Sequence, residues 1–135
     1  MNHENIVSEF NRGLKSLQAA QILMKEDLYE DAVSRGYYAV MHAAKAALFY
    51  HNTLAESHAA LRRLFGKILV NPGHIEKEWA RILSQEQDQR IVADYSIQIP
   101  ISKEAADDLI ENAEKFIARI RTYLQECGVE LRVKT

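Results

Sequence analysis

An all-α fold, one antiparallel bundle of four or five helices running up and down, is predicted by three features of the sequence. Apolar residues recur at steps of three and four along most of the chain. Only two prolines and five glycines occur in 135 residues, too little turn chemistry for a many-stranded sheet. Third, the stretch from Ala32 to Tyr50 is apolar almost all round, the pattern of a helix enclosed by its neighbours.

The first helix is predicted over residues 3–25, where Ile6, Phe10, Leu14, Leu17 and Met24 form one apolar stripe. Asp27-Leu28-Tyr29-Glu30 then reads as an acidic capping box, with Asp27 as cap and Glu30 reaching back. It opens the second helix, which runs to Tyr50. Gly36, Ala39, Ala43 and Ala47 make a ridge of small residues there, so a helix of this chain or of a second copy can approach closely. A membrane span is the rival reading of this helix. Arg35, Gly36, His42 and Lys45 interrupt a stretch barely long enough for one, so no membrane partner is expected.

Ser57 is placed to cap a third helix carrying Leu61, Leu64, Phe65, Ile68 and Leu69, which Asn71-Pro72-Gly73 ends. A fourth helix is predicted over residues 75–93, with Ile75, Trp79, Ile82 and Leu83 on its apolar face. Tyr95 to Ile101, which includes Pro100, reads as an extended loop. Ser102 caps the fifth helix, whose first turns carry Glu104, Asp107 and Asp108, the sign that suits a helix N-terminus. Ala106, Leu109, Ala113, Phe116, Ile120, Tyr123 and Cys127 give its buried face, and Gly128 stops it. One domain over 1–135 is expected, with its core over about 3–127 and a frayed tail over 128–135.

The net charge of -2 excludes a domain that grips nucleic acid by bulk electrostatics alone. The lone Cys127 excludes an internal disulfide and a cysteine-rich zinc site. The five histidines show no metal-ligand spacing, and there is no glycine-rich phosphate loop or GxSxG, so neither cofactor nor metal is expected. MNHENIVSEF has no basic segment followed by an apolar run, so no secretory signal and a cytoplasmic location are expected.

Chemistry concentrates on the second helix. Arg35 and His42 are seven apart, almost two turns, so they point the same way about 10 Å apart along the axis, with Tyr38 between them. Asp31, Arg35, Tyr38, His42 and Lys45 form its one polar line. As a site, Arg35 would hold a phosphate, His42 would act as acid or base, and Tyr38 would donate or stack. As structure, Arg35 would pair with Asp31 and His42 would bond a neighbouring helix. Arg90 falls on the apolar face of the fourth helix. Asp94, four residues on, is its natural ion-pair partner, and a cleft awaiting a phosphate is the alternative. His58 marks a site or only a helix start.

These residues resemble a known pattern. Ser34-Arg35-Gly36-Tyr37-Tyr38-Ala39-Val40-Met41-His42-Ala43-Ala44 is similar to the S-R-x-Y-Y-A-x-x-H-A-A signature of a small stand-alone branch of HEPN domains. Ser57-His58 with Leu64-Phe65-Gly66-Lys67 resembles the family's third helix, and Arg90, Ala93, Asp94 and Tyr95 resemble its R-x-x-A-D-Y element. The resemblance implies a helical bundle, often a homodimer, frequently paired with a minimal nucleotidyltransferase in toxin–antitoxin-like systems. It implies Tyr37, Tyr38, His58, Arg90, Asp94 and Tyr95 as binding residues for a nucleotide or RNA.

Several branches of the family are metal-independent ribonucleases using an arginine and a histidine with four to six residues between them, a spacing that Arg35 and His42, with six between, satisfy. On the later helix, where that motif usually sits, this chain offers Arg90, Asp94 and Tyr95 but no histidine. Three readings follow: a binding module for nucleotide or RNA phosphate, an endoribonuclease using Arg35 and His42, and a purely structural bundle.

Overall fold

A computed structural model of the chain describes residues 3–95 and 100–131, and among these every regular element is helical. The order is α1 (His3–Lys25), α2 (Tyr29–Tyr50), α3 (His58–Leu64) running into a π-helical segment (Phe65–Val70), α4 (Lys77–Tyr95) and α5 (Lys103–Glu126). Residues 96–99 of the expected loop and 132–135 of the expected tail lie outside the described residues. Tyr95 itself ends α4 rather than beginning a loop.

α2 is the central helix. Val33, Tyr37, Ala39, Val40, Ala43, Ala44, Ala47 and Leu48 are buried along it, so it has neighbours on most sides, as its composition predicts. It runs antiparallel to α1, since Glu9 meets His42 while Gly13 lies against Ala39. It is antiparallel to α4 as well, through the Ser34–Asp94 and Tyr38–Arg90 bonds. α5 runs parallel to it, from Ile110 beside Gly36 to Tyr123 beside His51. The small-residue ridge therefore serves this chain's own helices. A Cβ on Gly13 would stand 3.0 Å from the Ala39 carbonyl oxygen, so α1 approaches the α2 backbone directly.

Two of the three predicted caps form. Ser57 Oγ accepts from the Ala60 N–H at 3.0 Å, and Ser102 Oγ accepts from the Ala105 N–H at 3.1 Å. The Asp27–Glu30 capping box does not form. Asp27 has φ +60°, a left-handed conformation in which it cannot act as N-cap, and Leu28 takes that position without a side-chain bond. Glu30 instead accepts from the Ile101 N–H at 3.1 Å, tying the start of α2 to the approach to α5.

The third helix continues beyond Leu64 as a π turn, with the Asn71 N–H bonded to the Gly66 carbonyl at 2.8 Å. Ile75 is buried but precedes α4, which starts two residues later than the pattern predicts. No helix among the described residues is long and apolar enough to cross a membrane.

Candidate functional site

α2, α3 and α4 bring five of the sequence-predicted residues together. Tyr37 is fully buried, and its hydroxyl lies 2.5 Å from His58 Nδ1. Burial pushes that hydroxyl up to about 12 against the pull of Arg90, so it keeps its proton and donates it. Nδ1 of His58 then accepts, and this hydrogen bond assigns the ring proton to Nε2. Burial, followed by the nearby charges of Arg90 and Lys45, holds the imidazole below its ordinary value of 6.5. At neutral pH His58 is an uncharged ring with one N–H to offer.

Arg90 spans the two tyrosines. Its guanidinium carbon is 5.8 Å from the Tyr37 ring centroid and 5.5 Å from that of Tyr38, within cation–π range of both. Nη2 donates to the Tyr38 hydroxyl at 3.0 Å. Nε lies 3.0 Å from Asp94 Oδ2, yet it makes no hydrogen bond of acceptable geometry, so this pair is held by Coulomb attraction. Asp94 is the partner that the i,i+4 spacing predicts, and its Oδ1 accepts from Ser34 Oγ at 2.5 Å. Lys45 is half-buried without an ion pair among the described residues. Two cations, a neutral imidazole N–H and two aromatic rings thus share one junction, a set suited to an oxyanion carried by a flat ring.

The other candidates fall elsewhere. His42 turns to α1, where its Nδ1 is 2.7 Å from Glu9 Oε2, the two side chains 18% and 12% exposed. Arg35 is exposed and, among the described residues, makes neither an ion pair with Asp31 nor any other. The polar line on α2 therefore divides, with Tyr38 joining α4 and His42 joining α1. Tyr95 is 75% exposed at the end of α4, beside Asp94. No group of three or more metal-ligating side chains exists among the described residues. A shallow groove of about 860 Å³ runs along the outer face of α1 past Val7, Ser8, Arg12 and Lys15, remote from the cluster.

Three contributors were not identified from the sequence. Ser34 is visible only as a motif letter, and nothing local marks Glu9 as the partner of His42. Glu86 does carry a sequence signal, unused above: it shares the inward face of α4 with Leu83 and Arg90 at helical spacing. It is 1% exposed, and burial alone pushes its carboxyl up to about 8.

A helical domain whose central helix meets α3 and α4 at an arginine–tyrosine–histidine cluster is thus the class that fold and geometry define. Comparison with known families narrows it: the HEPN domain pattern matches residues 8–123. The chain belongs to the HEPN family. It is 41% identical over 112 residues, 83% of either chain, to the Methanocaldococcus jannaschii protein that carries the name "Putative toxin MJ0605". It is 34% identical over 117 residues to a UPF0332 protein of Gloeobacter violaceus, covering 86% of this chain and 93% of that one. A second protein of the same archaeon, named "Putative toxin MJ0142", is 29% identical over 110 residues, 82% of this chain and 75% of its own.

Proposed function

We propose that this chain is the HEPN module of a toxin–antitoxin-like pair and that the junction of Tyr37, Tyr38, His58 and Arg90 binds the phosphate of a nucleotide or RNA. The observation that carries the reading is Arg90, a guanidinium seated over two aromatic rings with a neutral imidazole and Lys45 close by. Arginine pairs with phosphate bidentately, and the half-buried Tyr38 ring offers a stacking surface to a base. The names of two relatives support the toxin setting. A homodimer and a minimal nucleotidyltransferase partner belong to the same proposal, through the family alone.

Titration with AMP and with a short single-stranded RNA, followed by calorimetry, tests it. Wild type is expected to bind at least one of them, with affinity falling as salt rises. Arg90→Ala is expected to lose binding while retaining its helical spectrum. Absence of binding by wild type to either probe would overturn the reading.

One observation favours a second reading, an endoribonuclease. The Glu9 carboxylate at 2.7 Å from His42 Nδ1 is an orienting partner of the kind that leaves the other ring nitrogen free as a base. Exposed Arg35, two turns away, would neutralise the phosphorane. RNA cleavage in chelator that disappears in His42→Ala and in Glu9→Gln is expected on this reading, and uncut RNA rejects it.

A further inference from the structure

Glu86 is the one carboxylate buried in the core among the described residues, at 1% exposure, and neither of its oxygens has a hydrogen-bond partner. Its head group sits where α2, α4 and α5 meet. A Cβ on Gly36 of α2 would stand 3.6 Å from Oε1 of Glu86, 2.9 Å from Ile110 Cδ1 and 4.0 Å from the Ala113 Cβ of α5. The surroundings offer the carboxyl a glycine backbone and two apolar side chains. A buried polar group without a partner is costly, and an ionised one far more so.

Among the described residues no cation offsets that cost. On α3, Arg62 spends its N–H groups on Ser84, Gln87 and Asp88, and on α4 Arg90 is committed to Tyr38 and Asp94. On α2 the ionisable neighbours are Arg35, Tyr37, Tyr38 and Lys45, on α3 His58, and on α5 Glu111 and Glu114 flank Ile110 and Ala113. None of these counts among the causes that set the proton affinity of Glu86, where burial stands alone.

The helix that carries this acid is lightly held. Leu83 is the one fully buried apolar side chain of α4, with Trp79, Ala80 and Ile82 half-covered beside it. Beyond Glu86 the helix exposes Ile91, Val92 and Tyr95; it meets its neighbours through the polar contacts Arg90–Tyr38 and Asp94–Ser34, through Arg90 over the Tyr37 and Tyr38 rings, and through one apolar residue, Ala93, against the Val33, Ala106 and Leu109 cluster. Few buried apolar contacts mark a segment that opens at low cost.

We propose that Glu86 is a proton-operated latch: as a neutral acid it lets the C-terminal half of α4 lie on α2 at Gly36, and as a carboxylate it lifts that half into water. Opening parts Arg90 from Tyr38 and Asp94 from Ser34, so the cluster exists in its assembled form only while Glu86 holds its proton. The switch runs from closed to open as pH rises. Tyr37 titrates above the span from 4.5 to about 8 over which Glu86 gives up its proton, and a switch run by His58 would survive Glu86→Gln.

Amide hydrogen exchange of the ligand-free protein, corrected for intrinsic rates, is the test. Between about pH 6.5 and 8 the open population should grow by up to about tenfold per pH unit and level off above, so protection over residues 87–94 falls by about 15-fold relative to residues 109–124. Glu86→Gln keeps the shape and removes the proton, and its α4 protection should stay level over the same range. Should that variant not fold, Glu86→Met serves in its place, and side-chain carbon NMR of wild type reads the titration directly. Equal loss of protection in wild type and variant, unchanged protection in wild type, or a Glu86 carboxyl that titrates near 4.5 would each overturn the latch. Because no ligand is used, the outcome is independent of what the cluster binds.

Discussion

Gly13→Ala should destabilise the protein, although alanine is the better helix former. Replacing a helical glycine by alanine ordinarily contributes about 1 kcal/mol. At Gly13 the new methyl would meet the Ala39 carbonyl oxygen at 3.0 Å, the Ala43 nitrogen at 3.4 Å and His42 Cβ at 3.5 Å. These are backbone and near-backbone atoms of the central helix, which cannot rotate aside, so α1 must move outward by a few tenths of an ångström. Overpacking of that kind costs about 1–3 kcal/mol, which leaves a net loss on the order of 1 kcal/mol and a melting point about 4 °C lower.

Two other glycines calibrate the measurement. Gly66 has nothing within 4 Å of its would-be Cβ, so Gly66→Ala should be neutral or stabilising. Gly36→Ala meets the mobile end of Ile110 at 2.9 Å, a contact that a rotamer change relieves, and should fall between the two. Urea unfolding followed by circular dichroism orders the three. A Gly13→Ala protein as stable as Gly66→Ala would refute the claim that α1 rests on the backbone of α2. The same displacement should lengthen the bond between Glu9 and His42 and move the His42 imidazole shift in NMR.

Four further outcomes are expected. The Glu86 carboxyl titrates at about 8 in the folded chain against an ordinary 4.5, so the folded state holds a proton that the unfolded state releases; stability falls as pH rises through that window, by about 3 kcal/mol at pH 7, and Glu86→Gln should flatten the dependence in urea melts. Tyr37→Phe removes the donor from His58 Nδ1 and should cost about 1 kcal/mol in the same assay, with the His58 ring signals in NMR shifting as its tautomer preference is released. Arg90→Lys keeps the charge but loses the planar fork over Tyr37 and Tyr38, and should weaken AMP or RNA binding about tenfold in calorimetry. Glu76, held down to about 2 first by its hydrogen bond from Arg119, gives stability that is present above pH 4.5 and lost as pH falls toward 2; because the side chain is 55% exposed, Glu76→Gln should cost under about 1 kcal/mol, and added salt should erase the difference.

The fold was legible because each helix carries its own instructions. The three-four spacing of Ala106, Leu109, Ala113, Phe116, Ile120 and Tyr123 needs no partner to be read, and all six are buried. Ser57 and Ser102 announce helix starts through bonds that close within three residues. The failures came where distant chain decides. Asp27-Leu28-Tyr29-Glu30 has the letters of a capping box, but the tight turn out of α1 forces Asp27 to a φ of +60° and frees Glu30 to bond residue 101. The π turn after Leu64 leaves no pattern that distinguishes it from an α-helix.

The site was half legible for a related reason. Arg35, Tyr38 and His42 lie within an arc of about 60° on α2, since each residue advances about 100° around the axis. A sequence shows that arc but not where one neighbouring helix ends and the next begins. Here the boundary between α1 and α4 runs through it, sending His42 to Glu9 and Tyr38 to Arg90.

α4 is where local preference and environment disagree most. Its inward face carries Glu86 and Gln87, while Ile91, Val92 and Tyr95 face water. Such a conflict lowers stability, and a sequence that keeps one usually has a use for it. Among the described residues the buried polar side chains, Glu86 and Gln87, both lie on the helix that supplies Arg90 and Asp94, whereas α5 supplies no residue to the cluster. If the conflict served nothing, replacing Glu86 by leucine would yield a more stable protein with unchanged affinity for AMP or RNA. If the buried acid governs the cluster, the same substitution should stabilise the fold and keep the cluster assembled, so that affinity for AMP or RNA no longer falls between about pH 6.5 and 8 as it does in wild type, a difference that calorimetry at several pH values resolves.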